Sequence, residues 1–167
     1  KSAYRQHLSL SSACFAIFLC FWGFSAARHY LLQSNAYDLG LFDQWIWLTS
    51  QGLPPFSSME GVHLLVDHGA FALYFAGFLY YLHANVQWLL ASQALSLSFT
   101  AIPIWWIGKQ AKLSTKLCWL ACGLWWLQPV VFNVNLFDFH PEVWVMPALA
   151  TSYWASRENK FWTWLFL

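Results

Sequence analysis

The chain has 167 residues, of which 59% are hydrophobic and only 9% are charged. An ordinary soluble domain carries about 25% charged residues, so this composition excludes a soluble fold and predicts an integral membrane protein. The formal net charge is only +1, so nucleic acid is not an expected partner.

Four apolar runs have the length or the position of transmembrane helices, which need about 20 residues to cross the hydrocarbon of a bilayer. The predicted spans are residues 8–27, 86–108, 117–136 and 140–156. In the second span Pro103 predicts a kink, and polar residues such as Gln93 should face protein rather than lipid. Residues 161–167 resemble the start of a fifth span, so we interpret the chain as an N-terminal portion of a longer protein.

The segment between the first two spans, residues 28–85, is predicted to be a structured loop. Within residues 37–51 apolar side chains recur with helical period and predict an amphipathic helix in the membrane interface. These side chains are Leu39, Phe42, Trp45, Ile46 and Thr49. Residues 69–82 are apolar but too short to cross, which predicts a re-entrant or juxtamembrane helix. The expected fold is an all-α integral membrane protein with about four spans and additional juxtamembrane helices.

Acidic and basic residues are sorted along the chain. Six of the seven Asp and Glu lie in residues 38–67 and 137–142, whereas three lysines gather at residues 109–116. Because positive charge stays in cytoplasmic loops, the N-terminus and the lysines are predicted inside. The acidic stretches are then on the outer face, periplasmic or lumenal. Counting residues 69–82 as a crossing would expose the three lysines outside, which is a second reason to keep that segment on the outer face.

The acidic stretches supply the candidate functional residues. Asp38 is a candidate general base, or alternatively a carboxylate that stabilises the start of its helix. Asp138, His140 and Glu142 offer the ligand types that hold a divalent metal or orient a phosphate, and the alternative is again a helix start. Arg28 could bind a lipid phosphate or neutralise a nearby Asp. The other candidate substrate-binding residues are Asp43, Asp67 and His68.

Three strings of residues resemble a bacterial family. They are Tyr37-Asp-Leu-Gly-Leu-Phe-Asp-Gln44, Val66-Asp-His68 and Asn135-Leu-Phe-Asp-Phe-His-Pro-Glu142. In order and spacing they resemble multi-span membrane proteins catalogued as a domain of unknown function, over nearly the whole chain. That family is similar to the C-type glycosyltransferases, multi-span enzymes that use lipid-phosphate-linked sugars. The resemblance implies one acidic residue in the first outer loop and a second acidic motif after the third span, the places of Asp38 and Asp138.

Three functions fit these observations. The first is a lipid-linked sugar transferase in which Asp38 deprotonates the acceptor and Asp138, His140 and Glu142, with or without a metal, hold the donor phosphate. The second is a non-catalytic subunit of a larger membrane complex that carries a pigment or a lipid, which the 13 tryptophans favour. The third is a transporter or lipid-binding module. Membrane lipid is a partner in all three, and convergence of Asp38, Asp138 and His140 on one open cavity would favour catalysis.

Overall fold

The computed structural model describes residues 2–67 and 69–157, and within these ranges every regular element is helical. The predicted all-helical membrane class is confirmed. The α-helices are α1 (Ser2–Tyr30), α2 (Leu41–Ser50), α3 (Leu64–Asp67), α4 (Leu73–Leu82), α5 (Gln87–Phe99), α6 (Ala101–Gln110), α7 (Thr115–Leu127), α8 (Pro129–Leu136) and α9 (Val145–Arg157). A π-helical turn, Ala36–Gly40, precedes α2, and a 3₁₀ turn, Pro141–Trp144, precedes α9.

Two described helical segments are long and apolar enough to cross a membrane: Leu8–Tyr30 in α1, and Gln87–Gln110, which joins α5 to α6. Helices α7 and α8 add a third crossing if the pair is one span bent by 43°. The predicted fourth span falls on the 3₁₀ turn and on α9, which has 13 residues. The predicted start of a fifth span, residues 161–167, lies outside the described residues.

A proline breaks the third predicted span but not the second. In the second span the boundary between α5 and α6 is Thr100, three residues before Pro103, where a kink was predicted, but the backbone of Thr100 stays helical and Gln87–Gln110 forms one membrane-length helix. Gln128, which precedes Pro129, has an extended backbone with ψ at 130°. A proline ring disfavours the helical conformation of the residue before it, so the helix ends there and restarts as α8. The sequence interpretation treated residues 117–136 as one continuous span and missed this break.

Three hydrophobic clusters follow one another along α1. Near the N-terminal end of α1, Leu10 and Cys14 pack with residues of α6 and α7. In its middle, Phe21 packs with Leu97 of α5 and Val131 of α8. The last cluster lies beyond these, between α5 and the loop that follows α1. The helices are thus packed together over the length of α1, which fixes the position of that loop.

Tryptophans connect helices through hydrogen bonds as well as through packing. Trp125 and Trp126 of α7 donate their indole N–H groups to the carbonyls of Leu97 and Ser98 in α5, at 2.7 and 2.9 Å. A polar group inside a membrane must find its partner in the protein, so these bonds hold α7 on α5. Trp125 and Trp126 thus have a structural role in joining helices, which is distinct from anchoring at the membrane interface.

The loop between α1 and α5, residues 31–86, packs as a unit that we call the loop unit. Its helix α2 packs against α4, where Gly77 permits a close approach, since a Cβ there would lie 3.0 Å from Thr49 Cγ2. The apolar face predicted for α2 is the buried one: Phe42, Trp45 and Ile46 are 1% exposed or less. Protein covers this face, and the placement of the helix in the membrane interface stays a prediction.

Helix α4 lies within the segment predicted to be re-entrant or juxtamembrane, residues 69–82. It has ten residues, a length of about 15 Å, which is half of what a crossing needs. Its buried face, which includes Leu73 and Tyr80, packs into the loop unit. Its other face is exposed and aromatic. The exposed side chains on and next to it are Phe71, Tyr74, Phe75, Phe78, Tyr81 and Leu82.

Candidate functional site

Asp38 and His140, two of the predicted site residues, lie side by side. Asp38 Oδ1 is 3.8 Å from His140 Nε2, and both side chains are partly exposed, at 22% and 29%. Asp38 belongs to the π-helical turn, a rare conformation that is often found at functional sites. The residue that caps this turn is Asn35, whose side chain accepts the N–H of Tyr37, so Asp38 is not needed as a cap.

Asp138 is paired with Arg28, as in one of the two roles predicted for Arg28. Arg28 Nη1 donates to Asp138 Oδ1, and the backbone N–H of Asn35 donates to Asp138 Oδ2 at 2.9 Å. Asp138 is only 3% exposed, whereas Arg28 is 25% exposed. Asp138 also has a positive φ of 74°, which Asp tolerates better than most residues. One carboxylate therefore fastens both the end of α1 and the start of the π-helical turn.

Gln93 of α5 holds the segment that carries Asp138 and His140. Its Nε2 donates to the carbonyls of Val134 and Asp138, and its Oε1 accepts the backbone N–H of His140 at 2.8 Å. Gln93 is fully buried. The sequence predicted that Gln93 faces protein, but its role in positioning His140 was missed, because the pairing partners lie more than 40 residues away.

The metal site predicted from Asp138, His140 and Glu142 is not assembled. Among the described residues no group of three or more His, Cys, Asp or Glu is placed to hold a metal ion. Both oxygens of Asp138 are used by Arg28 and Asn35, and the side chain of Glu142 is exposed. The spacing D-x-H-x-E does not bring the three side chains together, because Asp138 is buried and has a left-handed backbone, while Glu142 is exposed within the 3₁₀ turn that begins at Pro141.

Two further predicted residues, Asp43 and Asp67, belong to the loop unit. Asp43 accepts a hydrogen bond of 2.6 Å from the hydroxyl of Tyr80. Burial and, second, this bond raise the pKa of Tyr80 well above its usual value, so Tyr80 remains a neutral donor. Asp67 is exposed at the end of α3. His68 lies outside the described residues.

Two open cavities flank the site. One, which we call the apolar cavity, has a volume of about 520 Å³ and lies between α8 and the start of α9. His140 and Glu142 line it together with Val134, Phe137, Val143 and Met146. The other, which we call the polar cavity, has a volume of about 760 Å³ and lies between the end of α1 and the loop unit. Asn35, Asp43, Trp47, Tyr80, Asn85 and Gln87 are among its lining residues.

The predicted site residues are distributed between the two cavities. His140 faces the apolar cavity, and the π-helical turn that carries Asp38 lines the polar cavity through Ala36, Leu39 and Gly40. Asp38 itself lines neither cavity, but its turn lines the polar one and its neighbour His140 lines the apolar one. Neither Asn35 nor Tyr80 was singled out from the sequence. The role of Tyr80 depends on a contact with Asp43, which is distant in the chain. Asn35 caps the π-helical turn, and an Asn just before an acidic turn could have suggested this role from the sequence.

Comparison with known proteins identifies a family but no activity. The family model described as "Predicted membrane protein (DUF2079)" matches residues 28–167, which contain every residue of the site. No curated protein and no solved structure matches the chain.

Proposed function

Since the chain belongs to the DUF2079 family of predicted membrane proteins, we propose that its site serves the transfer of a sugar from a lipid-phosphate carrier to an acceptor hydroxyl. The observation that carries the proposal is the Asp38–His140 pair, in which His140 lines the apolar cavity and Asp38 belongs to the turn that lines the polar cavity. A lipid-linked sugar has a polar sugar end and an apolar lipid end. An enzyme that uses it needs a polar and an apolar binding surface next to a group that can accept a proton.

Asp38 is the general base of the proposed reaction. Its carboxylate is partly exposed, so a substrate hydroxyl can approach it, and no described side chain within hydrogen-bonding distance occupies it. His140 Nε2, at 3.8 Å, is close enough to receive charge stabilisation from the carboxylate or to pass the proton on to solvent. Gln93 and the rings of Phe42 and Phe137 hold His140 in this position.

Arg28 is the phosphate-binding residue of the proposal. A guanidinium has five N–H donors, and the pair with Asp138 uses one nitrogen, so other donors remain for a phosphate. Asp138 is then the residue that orients Arg28, rather than a metal ligand. This arrangement stabilises the negative charge that develops on the leaving phosphate without a metal ion.

The proposed reaction balances with these groups. The acceptor oxygen forms a bond to the anomeric carbon while the bond from that carbon to the phosphate oxygen breaks. The hydroxyl proton goes to Asp38, and the electron pair of the broken bond leaves with the lipid phosphate, which faces Arg28. The apolar cavity supports the same proposal, because its wall of Val134, Phe137, Val143 and Met146 suits the first isoprene units of the carrier.

The test is transfer from radiolabelled polyprenyl-phosphate sugars by the purified full-length protein, with acceptors supplied as a glycan extract. Donors with glucose, mannose, galactose and arabinose form the panel. Asp38→Asn should lower the rate about 10²–10⁴-fold, the usual contribution of a general base. Glu60→Gln is the matched control, because Glu60 is an exposed acid of the same loop unit that lines neither cavity, and it should retain the wild-type rate.

Two results would contradict the proposal. Wild-type transfer by Asp38→Asn would remove that residue from the chemistry. No transfer by folded wild-type protein with any donor of the panel, together with stable co-purification with a larger membrane complex, would favour the accessory-subunit function.

A further inference from the structure

We infer that the polar cavity binds a neutral, hydroxyl-rich ligand, namely a monosaccharide unit of the acceptor. The inference deepens the proposed function and rests on it for the role of the ligand, since it names the class of molecule whose hydroxyl would meet Asp38. The binding itself is argued from the cavity alone.

Three side-chain amides of the cavity wall have their oxygens occupied. Asn35 Oδ1 accepts the N–H of Tyr37 at 3.0 Å, and Asn85 Oδ1 accepts the N–H of Gln87 at 2.9 Å. Gln87 Oε1 accepts the indole N–H of Trp22 at 3.0 Å. A backbone N–H and an indole N–H can only donate, so the amide atom at each contact must be the oxygen. The orientation of each amide is thereby determined.

The three NH₂ groups of these amides are left as donors. In the described part of the chain none of them meets an acceptor, and Gln87 Nε2 is in addition buried. Asn35 and Asn85 are exposed, so water can satisfy their NH₂ groups, whereas the buried Nε2 of Gln87 has no acceptor among the described residues. A ligand that brings oxygen lone pairs would satisfy all three donors. An ammonium ligand has only donors to offer, so it could pair with Asp43 but would leave these three NH₂ groups without an acceptor.

Asp43 supplies the complementary acceptor. Its Oδ1 accepts from the hydroxyl of Tyr80, while no described residue donates to its Oδ2. The described lining residues include this carboxylate and His29 but no Lys or Arg, so a phosphate or carboxylate ligand would meet the negative charge of Asp43 without a permanent positive charge to offset it. A hydroxyl group suits both the amide donors and the carboxylate acceptor, because it can accept a hydrogen bond from an amide and donate one to the carboxylate.

The size and the aromatic wall agree with a sugar. A volume of about 760 Å³ lies within the range of small-molecule sites and exceeds the need of one hexose. Trp47 lines the cavity with a ring that is 44% exposed, which offers a flat apolar surface to the C–H face of a pyranose. The π-helical turn that carries Asp38 forms part of the same wall through Ala36, Leu39 and Gly40, so a bound acceptor would lie next to the turn that carries the proposed base.

The inference is tested by ligand-observed saturation-transfer NMR on the full-length protein in lipid nanodiscs, after subtraction of empty nanodiscs. The probes are the methyl glycosides of glucose, galactose, mannose and arabinose, with choline and glycerol 3-phosphate as cationic and anionic controls. We expect signals from at least one glycoside and none from the two charged probes.

Asn35→Asp and Asn85→Asp are the decisive variants. Each keeps the side-chain oxygen that accepts the backbone N–H, and so keeps the local turn, but replaces the NH₂ donor by an acceptor. Each should weaken glycoside binding about 2–10-fold, the usual effect of one hydrogen bond. Glu60→Gln should bind as wild type.

The results separate this inference from the proposed function. No glycoside signal with wild type, signals from choline or glycerol phosphate instead, or glycoside binding that both Asn variants leave unchanged would overturn the inference. Glycoside binding that depends on Asn35 and Asn85, combined with wild-type transfer by Asp38→Asn, would support the inference and contradict the transferase mechanism. Transfer that depends on Asp38 without any glycoside binding in the cavity would support the transferase mechanism and contradict the inference.

Discussion

Arg28 and Asp138 form an ion pair across 110 residues of chain, with Arg28 Nη1 2.5 Å from Asp138 Oδ1. The pair joins the end of α1 to the segment that follows α8. Since the second oxygen of Asp138 also accepts the N–H of Asn35, one carboxylate sets the relative positions of α1, the π-helical turn and the segment that carries His140. The geometry of the candidate site depends on this single group.

Removal of the arginine should therefore destabilise the protein. Arg28→Met leaves the charge of Asp138 buried without its partner, which should lower the free energy of unfolding by roughly 3 kcal/mol. Asp138→Asn should cost less, because Asn keeps an oxygen for the N–H of Asn35 and tolerates the positive φ. Unfolding by SDS titration in mixed micelles measures both values.

The double variant provides the control for this pair. Arg28→Met with Asp138→Asn removes both charges, so its loss of stability should be smaller than the sum of the two single losses. Strictly additive losses would show that the two side chains do not stabilise each other.

Gln93→Leu should destabilise the segment that carries Asp138 and His140. The apolar side chain has a similar size but leaves the N–H of His140 and the carbonyl of Asp138 unpaired, which should cost about 2–4 kcal/mol for the two groups. Ser96→Ala, a change in the same helix that touches neither segment, is the matched control and should cost much less. Equal stability of Gln93→Leu and the control would mean that Gln93 does not hold His140.

The exposed aromatic face of α4 should lie in the lipid interface. This face has no charged residue, and α4 is too short to cross, so it should rest on the membrane with its rings among the acyl chains. Spin labels at Phe75→Cys and Phe78→Cys should be reached by molecular oxygen more than by a water-soluble nickel chelate. A label at Glu60→Cys should show the opposite preference. Labels on α4 that span the full depth of the bilayer would instead indicate a crossing.

The lysine cluster should lie on the same side as the N-terminus. Positive charge is retained in the cytoplasm, which places Lys112 inside and Asp38 outside. In a background without the four native cysteines, Lys112→Cys in intact cells should resist a membrane-impermeant maleimide. Glu60→Cys should react. Labelling of position 112 from outside would reverse the proposed topology.

The sequence by itself determined the environment and the local elements of this protein. Its low charge and its long apolar runs predict membrane helices, because a bilayer admits few charges and requires a set length of apolar chain. The apolar period of residues 39–46 predicted which face of α2 is buried. These features depend on near neighbours in the chain, and the bend before Pro129 was predictable for the same reason although it was missed.

Only the tertiary structure decided which polar groups meet. Arg28 could have neutralised any of several acids, and the string from Asp138 to Glu142 suggested a metal site that the fold does not assemble. The partners of Gln93 and the two cavities are likewise not visible in the sequence, because each depends on helices that are distant in the chain and packed in space. A charge pair or a cavity is a property of distances between elements, and the order of residues alone does not set those distances.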